Sequence, residues 1–126
     1  MPTHIRIIHA HDFIKATPEG LLDLERSKKI LREIASASNP WRHFEIILDT
    51  RTVESAMSRF DLWYLAAELG NLRTGFFRKM AVLCPLERFD HAGFFALCAE
   101  HRGFNVRAFT SYEDTMEWLI AKETYA

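Results

Sequence analysis

The polar residues best spaced for chemistry sit at the end of an apolar run, where Phe44-Glu45-Ile46-Ile47-Leu48 leads directly into Asp49-Thr50-Arg51. A carboxylate, a hydroxyl and a guanidinium in three consecutive positions suit anion binding. Arg51 can grip a carboxylate or phosphate through two parallel donors, while Asp49 orients it or meets a ligand hydroxyl. The plainer use of the same residues is an internal one, in which Asp49 pairs with Arg51 or caps a loop, and no glycine-rich phosphate loop accompanies them. Cys84 ends a second apolar run, Lys79-Met80-Ala81-Val82-Leu83, next to Pro85. As a nucleophile it needs a base or positive charge to form the thiolate, and the spacing supplies neither, so a buried inert thiol is the default.

Other routes to chemistry are poorly supported. His9 and His11 share one parity on an extended chain and His4 takes the other, while His91 and His101 lie about 80° apart on a helical wheel. No paired-cysteine, His-Glu-x-x-His or facial carboxylate pattern exists, so no metal site is expected. Nucleophile-elbow, Walker and dinucleotide motifs are likewise missing, which removes the strongest cases for a hydrolase, an ATPase or a dehydrogenase and leaves no cofactor expected.

Short-range patterns place these residues on a definite series of elements. Ile5, Ile7 and Ile8 make one β-like run and Phe13, Ile14 and Ala16 a second, with a tight connection that predicts a hairpin. Thr17-Pro18 reads as a cap and first residue of a helix carrying Leu24, Leu31, Ile34 and Ala35 inward. Its outward side holds Glu25, Arg26, Lys29, Arg32 and Glu33, and Asn39-Pro40 ends it. The run from Phe44 to Asp49 predicts a central strand covered on both faces. Ser58 and Asp61 have capping-box spacing and open a helix to about Leu69, with Gly70 as its stop. Lys79 to Cys84 predicts another buried strand, followed by a helix from about His91 to His101 that stops at Gly103. A strand at Val106, Ala108 and Phe109 and a helix capped by Ser111 close the chain. The order β-β-α-β-α-β-α-β-α predicts a single α/β domain over residues 1–126, with a mainly parallel sheet and an antiparallel hairpin at one edge.

Three segments carry a family resemblance: Ile47-Leu48-Asp49-Thr50-Arg51, Arg78-Lys79-Met80-Ala81-Val82-Leu83, and Val106-Arg107-Ala108-Phe109 followed by Tyr112-Glu113-Asp114 and Glu117-Trp118-Leu119. In this order they resemble the STAS fold of anti-sigma-factor antagonists, and more closely the small bacterial SpoIIAA-like proteins. The resemblance implies a regulatory or binding domain more readily than an enzyme. Partner-switching members of that superfamily carry a phosphorylated serine or threonine in an Asp-Ser-Ser-Gly-like turn after this central strand. Here the connection runs Thr50-Arg51-Thr52-Val53-Glu54-Ser55-Ala56-Met57-Ser58 without that turn. Ser58 is the nearest candidate for phosphorylation, and a capping role suffices to explain it.

The helix from Ser58 to Leu69 is more apolar than one sheet contact requires. Phe60, Leu62, Trp63, Leu65, Ala66, Ala67 and Leu69 wrap most of its circumference, Tyr64 lies on the margin, and a sheet-covering helix needs only a stripe of about 100°. Phe60, Trp63 and Tyr64 are therefore candidates for a homodimer or protein-partner interface, unless another helix, or the chain after Gly70 through Leu72, Phe76 and Phe77, covers the surplus.

Bulk composition gives a globular domain and reveals no reaction. With 48% hydrophobic and 13% aromatic residues the chain can fill a dense core, and a formal net charge of −1 gives no footprint for nucleic acid. No window of 18 apolar residues suggests a membrane segment, and two distant cysteines suit a reducing, cytoplasmic setting. The expectation is a non-catalytic regulatory domain that binds a partner or a small anionic or apolar ligand at a strand-end crevice of Asp49, Thr50, Arg51 and Cys84. The alternatives are a small enzyme in which Asp49, Arg51 and Cys84 converge, or a carrier of an apolar ligand.

Overall fold

Alternating apolar residues in the strands must be covered on both sides of a sheet, and the chain does so unequally. The computed structural model describes residues 5–10, 13–37, 44–72 and 77–121. Strands β1 (Ile5–Ala10) and β2 (Phe13–Pro18) form the predicted antiparallel hairpin, with Ile5 opposite Pro18 and Ala10 opposite Phe13. Thr17-Pro18 therefore ends a strand and does not begin the first helix. Thr17 lies in the ladder opposite Arg6, and the chain turns at Gly20, whose φ of 85° favours a residue without a Cβ. Asp23 is the actual cap, its Oδ1 accepting the Arg26 backbone N–H at 2.8 Å, and α1 runs Leu24–Ala37.

Strand β3 (Leu21–Leu22) pairs in parallel with β5 (Glu54–Ser55), a two-residue ladder too short for periodicity to announce. Between them β4 (Phe44–Asp49) has the predicted bounds. Helix α2 (Arg59–Leu69) starts on the expected capping box, with Ser58 Oγ accepting from Asp61 N–H and Asp61 Oδ2 accepting from Ser58 N–H. Strand β6 (Phe77–Leu83) follows, then a 3-10 turn over Leu86–Arg88 that runs into α3 (Phe89–His101). Gly103, with φ 91°, reverses the chain into β7 (Val106–Phe109), and α4 (Tyr112–Ile120) is capped by Ser111.

The sheet order is β1-β2-β4-β6-β7, antiparallel between β1 and β2 and parallel thereafter, as the element order predicts. On one face Ile14, Ala16, Ile46, Met80, Val82 and Val106 meet α1, α2 and α3 in the main core. On the other, Ile47 and Ala81 meet Leu119 of α4, with Phe13, Phe109, Met116 and Trp118 packed around them. Lys79 belongs to this second face, where its buried ammonium donates to the carbonyls of Trp118 at 2.8 Å and Ala121 at 2.9 Å. It thus satisfies carbonyls that the end of α4 leaves open, with a charge matched to the helix dipole.

Candidate functional site

The carboxyl ends of β4 and β6 lie side by side, and their pleat sends neighbouring residues to opposite faces. Asp49 continues the parity of Ile47 toward the α4 side. There Arg51 folds back on it, with Nε donating to Oδ1 at 3.0 Å, Nη2 to Oδ2 at 2.9 Å and the backbone N–H to Oδ1 at 3.1 Å. The pair is closed on itself. Burial pushes the Asp49 carboxyl upward, but the hydrogen bonds and charge of Arg51, helped by Lys15, outweigh it and hold the group below the usual carboxylate range. The same side-chain hydrogen bond, opposed by burial, raises the guanidinium.

Thr50 and Cys84 point elsewhere. The Thr50 hydroxyl donates to the Leu83 carbonyl at 3.0 Å and its N–H to the same oxygen at 2.7 Å, which clamps the two strand ends together. Both residues line an apolar cavity of about 80 Å³ under α1, α2 and α3, with Leu31, Leu48, Val82 and Phe95 among its walls. Asp49 and Arg51 are not part of its lining. The four strand-end residues therefore divide into two pairs, and the Asp49, Arg51 and Cys84 side chains do not converge. Burial raises the Cys84 thiol, which more than offsets the opposing pull of Arg88; Glu87 adds to the rise. The thiol is held in the protonated form, 3.5 Å from the Phe109 carbonyl.

Other polar residues line the cavity without a sequence pattern that marks them, among them Ser27, Ser55, Arg88 and His91. Arg88, at the junction of the 3-10 turn and α3, donates from Nη2 to the Thr50 carbonyl at 2.6 Å, and His91 in the first turn of α3 also faces the cavity. Pro85 was the available signal, since a proline lacks the N–H that would extend the strand and suits the start of a helical turn, here the 3-10 turn that carries Arg88.

The surplus apolar surface of α2 is open. Leu62, Leu65, Ala66 and Leu69 are buried against the core, whereas Phe60, Trp63 and Tyr64 are 79%, 46% and 53% exposed. With Arg59 and Phe94 of α3 they line a shallow surface groove. The Trp63 and Tyr64 rings meet edge to face at 5.1 Å, the Arg102 guanidinium lies 4.9 Å over Trp63, and Arg59 lies 5.1 Å over Phe94. Phe77 and Leu72, the alternative cover from the chain after Gly70, pack against the core; Phe76 lies outside the described residues. Ser58 is exposed at the start of the same helix, its hydroxyl engaged in the cap.

His4, His11 and the side chain of His9 also lie outside the described residues. Among those described, no three His, Cys, Asp or Glu side chains are grouped to hold a metal, and no helix is long and apolar enough to cross a membrane.

No family model matches the chain, and no curated protein is significantly similar to it in sequence. Solved structures do match its fold. One is an uncharacterised protein of the DUF3478 family with a SpoIIAA-like fold from Shewanella loihica, 17% identical, with 93% of each chain covered and a TM-score of 0.58. Another is an anti-sigma factor antagonist from Mycobacterium paratuberculosis, 14% identical, with 94% of each chain covered and a TM-score of 0.58. The chain thus has a SpoIIAA-like, STAS-like α/β fold.

Proposed function

We propose that this domain is a regulatory module without chemistry of its own, acting through a protein partner that docks on Phe60, Trp63 and Tyr64. The single observation that supports this reading is the open aromatic face of α2, flanked by Arg59 and Arg102. Aromatic and arginine side chains at the centre of a patch are the composition that dominates interface energetics. A fold shared with an anti-sigma factor antagonist agrees with partner binding. The first partner to test is a second copy, since a two-fold dimer would bury the same face twice. Sedimentation of the wild type over a concentration series should show a monomer–dimer equilibrium that Tyr64→Ala shifts toward monomer. A wild type that stays monomeric at high concentration overturns the homodimer.

Phosphorylation at Ser58 is not required by this reading. Its hydroxyl caps α2, and an intact mass without added phosphate on protein from its native cells is the expected result. The enzyme alternative lacks support because Asp49 and Arg51 are closed on each other while the Cys84 thiol lies across the sheet. A lipid carrier is disfavoured by size, since a cavity of about 80 Å³ is roughly half the ~150 Å³ that takes one benzene ring. The family resemblance supports a bacterial, cytoplasmic setting, and Cys84 and Cys98, both outside disulfides, agree with a reducing compartment.

A further inference from the structure

Two arginines lie near the strand ends, Arg51 after β4 and Arg88 in the turn after β6, and of the two only Arg51 has a carboxylate partner among the described residues. Arg51 is occupied by Asp49. Arg88 has no carboxylate within ion-pair distance among the described residues, and it is half-buried, which makes an unmatched charge more costly than at the surface. Its Nη2 donates to the Thr50 carbonyl, and a guanidinium carries further N–H groups, here on a residue that lines the cavity. Ser55 is another lining residue; its oxygen accepts from the Met57 N–H at 3.4 Å, so its own O–H remains able to donate. Behind these donors the walls are apolar, with Leu31, Leu48, Val82 and Phe95 closing the interior.

We infer that this cavity binds a short unbranched monocarboxylate, its alkyl chain inside and its carboxylate on Arg88 and Ser55. Volume sets the length. A ring of six carbons takes an apolar cavity of ~150 Å³, so a space of about 80 Å³ takes about three carbons, and with the carboxyl carbon outside the ligand has about four. Charge sets the head group, because a carboxylate offers Arg88 the two-oxygen acceptor that its fork matches. This inference is independent of the partner reading, and uses neither Trp63 nor Tyr64.

The test is a titration of isotope-labelled protein, followed by amide chemical shifts, with acetate, propionate, butyrate, hexanoate and octanoate, and with 1-butanol as the uncharged control. Affinity should rise about fourfold per added methylene up to butyrate, as expected for burial of one CH₂, and fall at hexanoate. The shifts should centre on Leu48, Val82 and Phe95. Butanol should bind at least tenfold more weakly than butyrate, since it forfeits the charge-assisted hydrogen bonds. Arg88→Gln should cost a similar factor and Arg88→Lys less. If Arg88→Gln fails to fold through loss of its bond to Thr50, the butyrate-to-butanol ratio in the wild type decides. Equal binding of butanol and butyrate, affinity that keeps rising to octanoate, or no saturable shifts with butyrate would each overturn the inference.

Discussion

Helices α1 and α2 lie on the same face of the same sheet, yet they treat solvent in opposite ways. α1 buries Ile30, Leu31 and Ile34 and turns Glu25, Lys29 and Arg32 outward. α2 buries a stripe of the same width, Leu62, Leu65, Ala66 and Leu69, and turns Phe60, Trp63 and Tyr64 outward. The demand for a core explains both inner faces equally. It does not explain the aromatic outside of α2, because a charged exterior like that of α1 would serve a lone domain at least as well. The difference between the two helices is therefore the feature on which the proposed partner role of α2 rests.

The comparison is sharpest if the inner faces behave alike. Leu69→Ala on α2 and Ile34→Ala on α1, both fully buried, should each cost about 2–5 kcal/mol in denaturant unfolding. A much smaller loss for Leu69→Ala would mean that α2 is loosely held and that its exposed aromatics are a packing failure. On the outer faces the two helices should diverge. Tyr64→Ala should weaken self-association by about 2 kcal/mol, roughly thirtyfold in Kd, with little change in the stability of the monomer. Loss of stability without loss of association would reassign Tyr64 to the fold.

Smaller effects test the surroundings of the two strand ends. Asp49→Asn should cost about 1 kcal/mol near neutral pH by weakening the bonds from Arg51. Because the folded carboxyl lies below its unfolded value near pH 4, its contribution is present above that value and is lost as pH falls through the folded pKa. The gap between wild type and variant should accordingly narrow in acid. A gap independent of pH would mean that the ionisation of Asp49 contributes nothing to stability. Ser58→Ala should cost about 1 kcal/mol through loss of the cap. Arg32→Ala removes an exposed pair with Glu68 at 3.5 Å and should change stability by less than about 1 kcal/mol, with no effect on sedimentation.

What the sequence determines here is short-range. The Ser58–Asp61 box, the apolar run from Phe44 to Asp49 and the order of the elements follow from capping, periodicity and turn chemistry acting over a few residues, and the hairpin-edged parallel sheet follows from that order. Even there Pro18 is ambiguous, because a proline suits both the first turn of a helix and the end of an edge-paired strand, and only the ladder opposite β1 distinguishes them. The surplus on α2 was legible as composition, but its exposure was not, since Phe77 and Leu72 were equally plausible covers until the core claimed them. Asp49 and Cys84 looked like neighbours because each ends an inner strand. The register of Asp49 opposite Leu83, and not opposite Cys84, puts them on opposite faces of the sheet. Lys79 at the end of α4 and Arg88 on the Thr50 carbonyl join residues 39 and 38 positions apart. No local pattern encodes such meetings: sheet register and helix docking are set by the whole core at once, so the tertiary structure alone decided which charges were matched and which was left facing a cavity.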